Sequence, residues 1–168
     1  MMADQLTIRR ATIAEADVSG ILALQAANQL GQGGSLSARL PRSMILAMIE
    51  AMPVIVAEQG GRIVGYLMTS THAMNTDIPI IQAMLKAYPG RPDAIIYGPI
   101  CVDADMRGKG VAQALYSELR IYQRGVEGIL FIRKDNLSSI RAHQKLGMTE
   151  VAAFDFNGVD HLVLSYRG

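Results

Sequence analysis

The sequence predicts a mixed α/β sandwich built on one central sheet. Three observations point there. The dipeptides Gly60-Gly61 and Asn157-Gly158 each separate two apolar runs of strand length, the signal of a two-residue hairpin. Several further segments carry apolar residues at helical spacing. The elements then read in the order strand, two helices, a run of strands, helix, strand, helix, hairpin, which lays helices against the faces of one sheet.

Leu6 to Arg10 reads as a short strand. Thr12-Ile-Ala-Glu15 has the form of a capping box. The helix it opens carries Val18, Ile21 and Leu22 on one face and runs to about Leu30. Gly31-Gln-Gly-Gly34 ends it and starts a flexible loop to Pro41, after which Ser43 caps a second helix. Met44, Ile45, Met48, Ile49 and Met52 form the stripe of that helix. Such a stripe serves a core or, because methionine adapts to irregular shapes, an apolar pocket.

Val54 to Gln59 and Arg62 to Ser70 are the arms of the first hairpin, and Ala94 to Val102 is the next strand. Val111, Leu115 and Leu119 mark a helix face, and Gly125 closes that helix. Gly128 to Ile132 is a buried strand, Leu137 to Leu146 a helix closed by Gly147, and Val151 to Phe156 with Val159 to Tyr166 the final hairpin. Thr71 to Asp93 stands outside this pattern. Asp77 to Ala87 can form a helix and Tyr88-Pro-Gly-Arg-Pro92 a loop. A connection this long suits a wall of a binding site, a dimer contact or plain decoration.

Composition narrows the function. A chain of 168 residues is long enough for one domain with a real core. The net charge is +1 and the cations are scattered, so no bulk field draws nucleic acid or an acidic membrane surface. Cys101 is the single cysteine, which excludes an internal disulfide and suits a reducing compartment. Met-Met-Ala-Asp-Gln lacks the basic-then-apolar order of a signal peptide, and no run of about 18 apolar residues spans a bilayer. The expectation is a cytoplasmic globular protein. His72 and His161 have no partners at ligand spacing, so no metal is expected.

The most informative stretch is Tyr97 to Tyr116. An apolar strand enters a polar loop, Arg107-Gly108-Lys109-Gly110-Val111-Ala112, and a helix follows at once. Helix-start N–H groups are unsatisfied and lie at the positive end of the dipole. With glycines that admit a close approach and two cations beside them, the segment reads as a pyrophosphate site. A P-loop fails, because Val111 follows Gly-Lys-Gly where Ser or Thr is required. A dinucleotide fingerprint fails too: Gln113 holds the place of its third glycine, and no acidic residue closes the strand Ile129 to Ile132.

Arg107-Gly-Lys-Gly110-Val-Ala112 resembles the Gln/Arg-x-x-Gly-x-Gly/Ala signature of the GNAT superfamily of N-acetyltransferases at every fixed position. Ile100-Cys-Val102, Asn136 to Met148 with its Lys-Leu-Gly, and Ile8-Arg-Arg-Ala-Thr12 with Asp17 resemble other segments of that family. The resemblance covers nearly the whole chain, residues 1–168, with 71–93 as a helical insertion between two strands of a mixed, mostly antiparallel sheet.

This resemblance implies transfer of an acetyl group from acetyl-CoA to an amine, with CoA as product. Arg107, Gly108, Lys109, Gly110, Val111 and Ala112 would hold the phosphates. The main chain of Ile100, Cys101 and Val102 would pair with the pantetheine arm, and the N–H of Ile100 or Val102 would face the thioester carbonyl. Cys101 itself reads as a packed core cysteine, since no neighbouring motif activates it. Asn136, and beside it Ser139, would hydrogen-bond the pantetheine; the other reading of Asn136 is a helix-preceding asparagine.

The chain departs from the family at the proton donor. The usual tyrosine seven places after the Asn is His143 here. With an ordinary pKa of about 6.5, that ring can donate an N–H hydrogen bond, act as an imidazolium acid, or simply sit on a half-buried helix face. The base is open among Tyr97, Glu58, Asp93 and Asp103, chosen on location alone. Tyr66 and Tyr88 stand near the acceptor or on the surface. The implied acceptor is a primary amine of a small molecule, with a protein or peptide amine and a non-catalytic acyl-CoA-binding module as alternatives. A homodimer is the expected assembly.

Overall fold

The computed structural model describes residues 5–29 and 39–167; the Gly31–Gly34 loop and the expected helix end at Leu30 lie outside them. In chain order the elements are β1 Thr7–Arg10, α1 Glu15–Ala27, α2 Arg42–Ala51, β2 Ile55–Gln59, β3 Arg62–Ser70, α3 Pro79–Ala87, β4 Ile95–Val102, α4 Val111–Tyr122, β5 Glu127–Arg133, α5 Leu137–Lys145, β6 Thr149–Phe156 and β7 Val159–Arg167. The chain forms two compact units, Met1–Thr69 with Gly98–Tyr122, and Ser70–Tyr97 with Gln123–Gly168. Strand β4 begins in the second and ends in the first. Parallel pairing joins β4 to β5, and β1–β2, β2–β3, β5–β7 and β6–β7 are antiparallel. The sheet is thus mixed and mostly antiparallel, as expected.

In the first unit the strands run β1-β2-β3-β4. The first hairpin has its predicted register, Gln59 opposite Arg62. Gly60 and Gly61 take φ of 59° and 73°, the positive values of a turn whose twist matches the strands. Val54, Ile55, Val56 and Ala57 are fully buried, as are Val18, Ile21 and Ile45 from the two helices. Helix α4 packs on β1 and β2 through the predicted face Val111, Leu115 and Leu119, to which Tyr116 adds its ring.

Three local expectations fail here. Helix α1 begins at Glu15 with Ala14 as its uncapped N-cap, so Thr12 and Glu15 form no capping box. Thr12 instead sends its N–H and hydroxyl to Asp17 Oδ2, at 2.8 and 3.0 Å. Nor does Ser43 cap α2, whose N-cap is Pro41; the fixed φ of proline suits that boundary. In the stripes, Leu24 is buried where Leu22 is only half-buried, and Met44 is exposed while Ile45, Met48, Ile49 and Met52 are core.

The second unit runs β4-β5-β7-β6. Strand β5 pairs with β7 from Glu127–Arg167 to Arg133–His161. The second hairpin turns on Asn157 and Gly158, φ of 52° and 79°, as its sequence requires. Helix α3 of the 71–93 segment lies on β6. Its Ile81 and Met84 join Ala94, Ile96, Ile129 and Val163 in a core cluster. The segment is therefore part of the core, a role that none of the three sequence expectations included.

Candidate active site

In the first unit, β4 runs into the glycine loop. Pro99 has no N–H to give the sheet, and residues 98–100 are half-buried after the buried run 95–97. Ile100 and Val102 are half-buried and Cys101 is buried between them. Burial pushes the Cys101 thiol up to about 11, so it stays protonated and packed. Asp103 closes the strand: its N–H donates to the Val64 carbonyl at 2.8 Å. Its carboxylate accepts from the Asp105 N–H and from Arg62, at 2.9 and 3.0 Å.

The loop then turns on Gly108 and Gly110, φ of 76° and 80°. A Cβ at either would meet nothing within 4 Å, so the backbone angle, not space, is what selects glycine. The Gly110 carbonyl accepts from Ala114 N–H at 3.0 Å, which starts α4 and leaves the N–H groups of Val111 to Gln113 without intrahelical partners. Arg107 is held from the side: Nη2 donates to Asn28 Oδ1 at 2.8 Å. Asn28 is buried and its Nδ2 donates to the Leu24 carbonyl at 2.9 Å. Among the described residues, ion pairs fall on Arg9, Arg42, Arg62 and Arg133 and on neither Arg107 nor Lys109. Two cations without carboxylate partners, beside left-handed glycines at a helix start, fit a diphosphate.

The second unit holds the other predicted residues. Asn136 is the N-cap of α5, its Oδ1 accepting from the Ser139 N–H at 3.3 Å and the Ser138 hydroxyl at 3.2 Å. His143 lies one turn on, buried. Its Nδ1 is 2.7 Å from the Ser139 carbonyl and 3.4 Å from the Ser139 hydroxyl. Its Nε2 is 3.1 Å from the Tyr97 hydroxyl, and the two rings meet edge to face. Burial lowers the His143 pKa, against the raising effect of the Ser139 carbonyl.

The remaining candidates separate on geometry. Glu58 is bound by Arg9 at 2.6 Å and Asp103 by Arg62; Asp93 is exposed; Tyr97 alone reaches His143. Tyr66 is fully buried. Tyr88 donates to Glu127 at 2.7 Å. His161 stacks on Phe154 with centroids 5.0 Å apart. No cluster of His, Cys, Asp or Glu able to hold a metal occurs among the described residues, and no helix among them is long and apolar enough to cross a membrane. Sequence reading missed Asn28, which carries no motif, and the Tyr97–His143 contact, which joins residues 46 apart.

No curated protein matches the chain at significant sequence similarity. Solved structures share its fold. It is similar to an N-acetyltransferase from Staphylococcus aureus Mu50, with 22% identity, 97% of this chain and 98% of that one covered, and a TM-score of 0.67. It is likewise similar to the ribosomal-protein-S18-alanine N-acetyltransferase from Escherichia coli (15% identity, 97% and 94% covered, TM-score 0.66). A third is Arabidopsis thaliana NAA60, in complex with acetyl-CoA (14% identity, 97% and 98% covered, TM-score 0.68). The model of the acetyltransferase (GNAT) family matches residues 31–148, the span that contains the glycine loop and Asn136 to Met148, and the chain belongs to that family, whose acetyl donor is acetyl-CoA.

Proposed function

We propose that the chain, as one domain over residues 1–168, transfers the acetyl group of acetyl-CoA directly to a primary amine of a small molecule. The observation that carries this is the loop at 107–112: two cations without carboxylate partners among the described residues, at the start of α4, with its glycines already left-handed. The backbone of that loop, Arg107 and Lys109 hold the diphosphate. The main chain of Ile100 to Val102 takes the pantetheine arm. Bound there, the donor supplies an acyl group activated as a thioester. The chain's own work is to bind it, orient it and move one proton.

The absence of a dense acidic cluster in Gly31–Pro41 and Thr71–Asp93 argues against a polycationic acceptor such as a polyamine or aminoglycoside. The resembling proteins include ones named for ribosomal-protein substrates, so peptides with free N-termini belong in the same acceptor panel as small amines. A cytoplasmic homodimer completes the reading; light scattering on the purified protein tests the dimer.

A thermal-shift titration with acetyl-CoA, CoA and NAD tests the core of the proposal. Acetyl-CoA and CoA should each stabilise the wild type, by about 2.7 kcal/mol at a hundred times Kd, and NAD should not. Gly110→Asp should abolish both shifts, because it places a carboxylate at the anion site and a side chain at a left-handed angle. Unchanged melting of the wild type with both CoA species would sink the reading.

A further inference from the structure

Helix α1 and the glycine loop belong to the same unit, and one side chain joins them. Asn28 is the C-cap of α1 and is 5% exposed. Burial obliges both ends of its amide to find partners. Its Nδ2 donates at 2.9 Å to the Leu24 carbonyl, one of the last four of the helix, which lack donors in a regular helix. Its Oδ1 accepts from Arg107 Nη2 at 2.8 Å. The two partners fix which way round the amide lies, because a carbonyl only accepts and a guanidinium only donates.

Arg107 itself is exposed. A free arginine samples many rotamers, and ordering one on a ligand lowers affinity. A bond to a buried acceptor moves that ordering into the folding of the protein. The bond takes one of the five N–H donors of the guanidinium. A carboxylate at position 28 would grip Arg107 more firmly, but it would set a negative charge against the cation that an anionic ligand needs. The amide orients the guanidinium and leaves its charge whole.

We propose that Asn28 is a positioning residue for the acetyl donor: its amide holds the Arg107 guanidinium ready for the diphosphate of acetyl-CoA, and its neutrality is required for that. This rests on the acetyltransferase reading above. It adds a residue outside the glycine loop, 79 positions away in sequence, to the machinery that binds the donor. Asn28 acts through Arg107.

Isothermal titration with acetyl-CoA, and melting without ligand, on four variants test this. Asn28→Ala should weaken acetyl-CoA binding about 3- to 10-fold, the effect of having to order one long side chain on binding. Asn28→Asp restores an acceptor for Arg107, yet it should bind no more tightly than Asn28→Ala, and its affinity should vary less with salt than that of the wild type. In an Arg107→Gln background, Asn28→Ala should change the affinity less than about twofold, because its partner is already gone. A purely structural tie at the helix end would lower the melting temperature of Asn28→Ala without these changes in affinity.

Asn28→Ala with an unchanged Kd, whatever its melting temperature, overturns the proposal. So does a loss of affinity that recurs in full in the Arg107→Gln background, since Asn28 would then act elsewhere. Asn28→Asp that binds as tightly as wild type overturns it as well, and decides alone if Asn28→Ala does not fold. In each of these cases the wild type still binds acetyl-CoA and the acetyltransferase reading stands. Wild-type protein that does not bind acetyl-CoA overturns that reading and the role of Asn28 together.

Discussion

Asp17 organises the start of α1 without capping it. Its two oxygens take Arg9 at 2.7 and 2.9 Å and the Thr12 N–H and hydroxyl, and Arg9 reaches on to Glu58 on β2. The Arg9 hydrogen bond is the main reason the Asp17 carboxyl is held down to about 2, against a burial effect of opposite sign. A carboxylate with a depressed folded pKa stabilises above its unfolded value, about 3.9, and loses that contribution as pH falls toward the folded value. Asp17→Asn should therefore cost about 2 kcal/mol at pH 7, a Tm drop of roughly 4–8 °C. The gap to wild type should close in melts between pH 4 and about pH 2. A gap that is constant with pH would mean that the charge is not what Asp17 supplies. The same residues show what sequence can and cannot say. Thr12 and Glu15 have capping-box spacing, but an acidic side chain at 17 with an arginine beside it in β1 offered Thr12 a stronger, charge-assisted partner. Asn28 left no trace at all, because a tether between residues 79 apart has no local pattern.

At the scale of elements, the readable parts are those whose backbone chemistry is local. Both hairpins follow from residues that accept positive φ, and α4 from its apolar period and the glycine before it. Helix α3 was readable as a helix but not as core. Its inward residues Ile81 and Met84 are spaced like any short amphipathic face, and their partners on β4, β5 and β7 come from elsewhere in the chain. The loop after it is tied down by a buried acid. Glu127 accepts from Tyr88 at 2.7 Å, Ser165 at 2.6 Å and the Arg91 N–H at 2.8 Å. Burial alone would raise its pKa, but these bonds outweigh burial and leave it lowered. Met84→Ala should then behave as a core truncation, costing about 2–5 kcal/mol, while acetyl-CoA still stabilises the variant. A loss under about 0.5 kcal/mol, the range of surface substitutions, measured by urea unfolding, would return the segment to decoration.

Across the whole molecule, charge is nearly balanced, with 16 cations against 15 acids. An anionic donor therefore gains little from the protein's summed field, and its attraction has to be local. Among the described arginines, Arg9, Arg42, Arg62 and Arg133 each carry a carboxylate. Arg107 is anchored instead by a neutral amide oxygen, which orients the guanidinium without cancelling its charge. At about 0.15 M ionic strength, exposed charges more than about 8 Å apart are largely screened, so the salt dependence of acetyl-CoA binding should report the loop rather than the surface. Raising salt from about 0.05 M to about 0.5 M should weaken binding to the wild type. In an Arg107→Gln, Lys109→Gln double variant the affinity should be lower at low salt and nearly flat across the same range. Isothermal titration at each salt concentration decides it: two parallel salt slopes would mean that the attraction comes from cations outside residues 107–112.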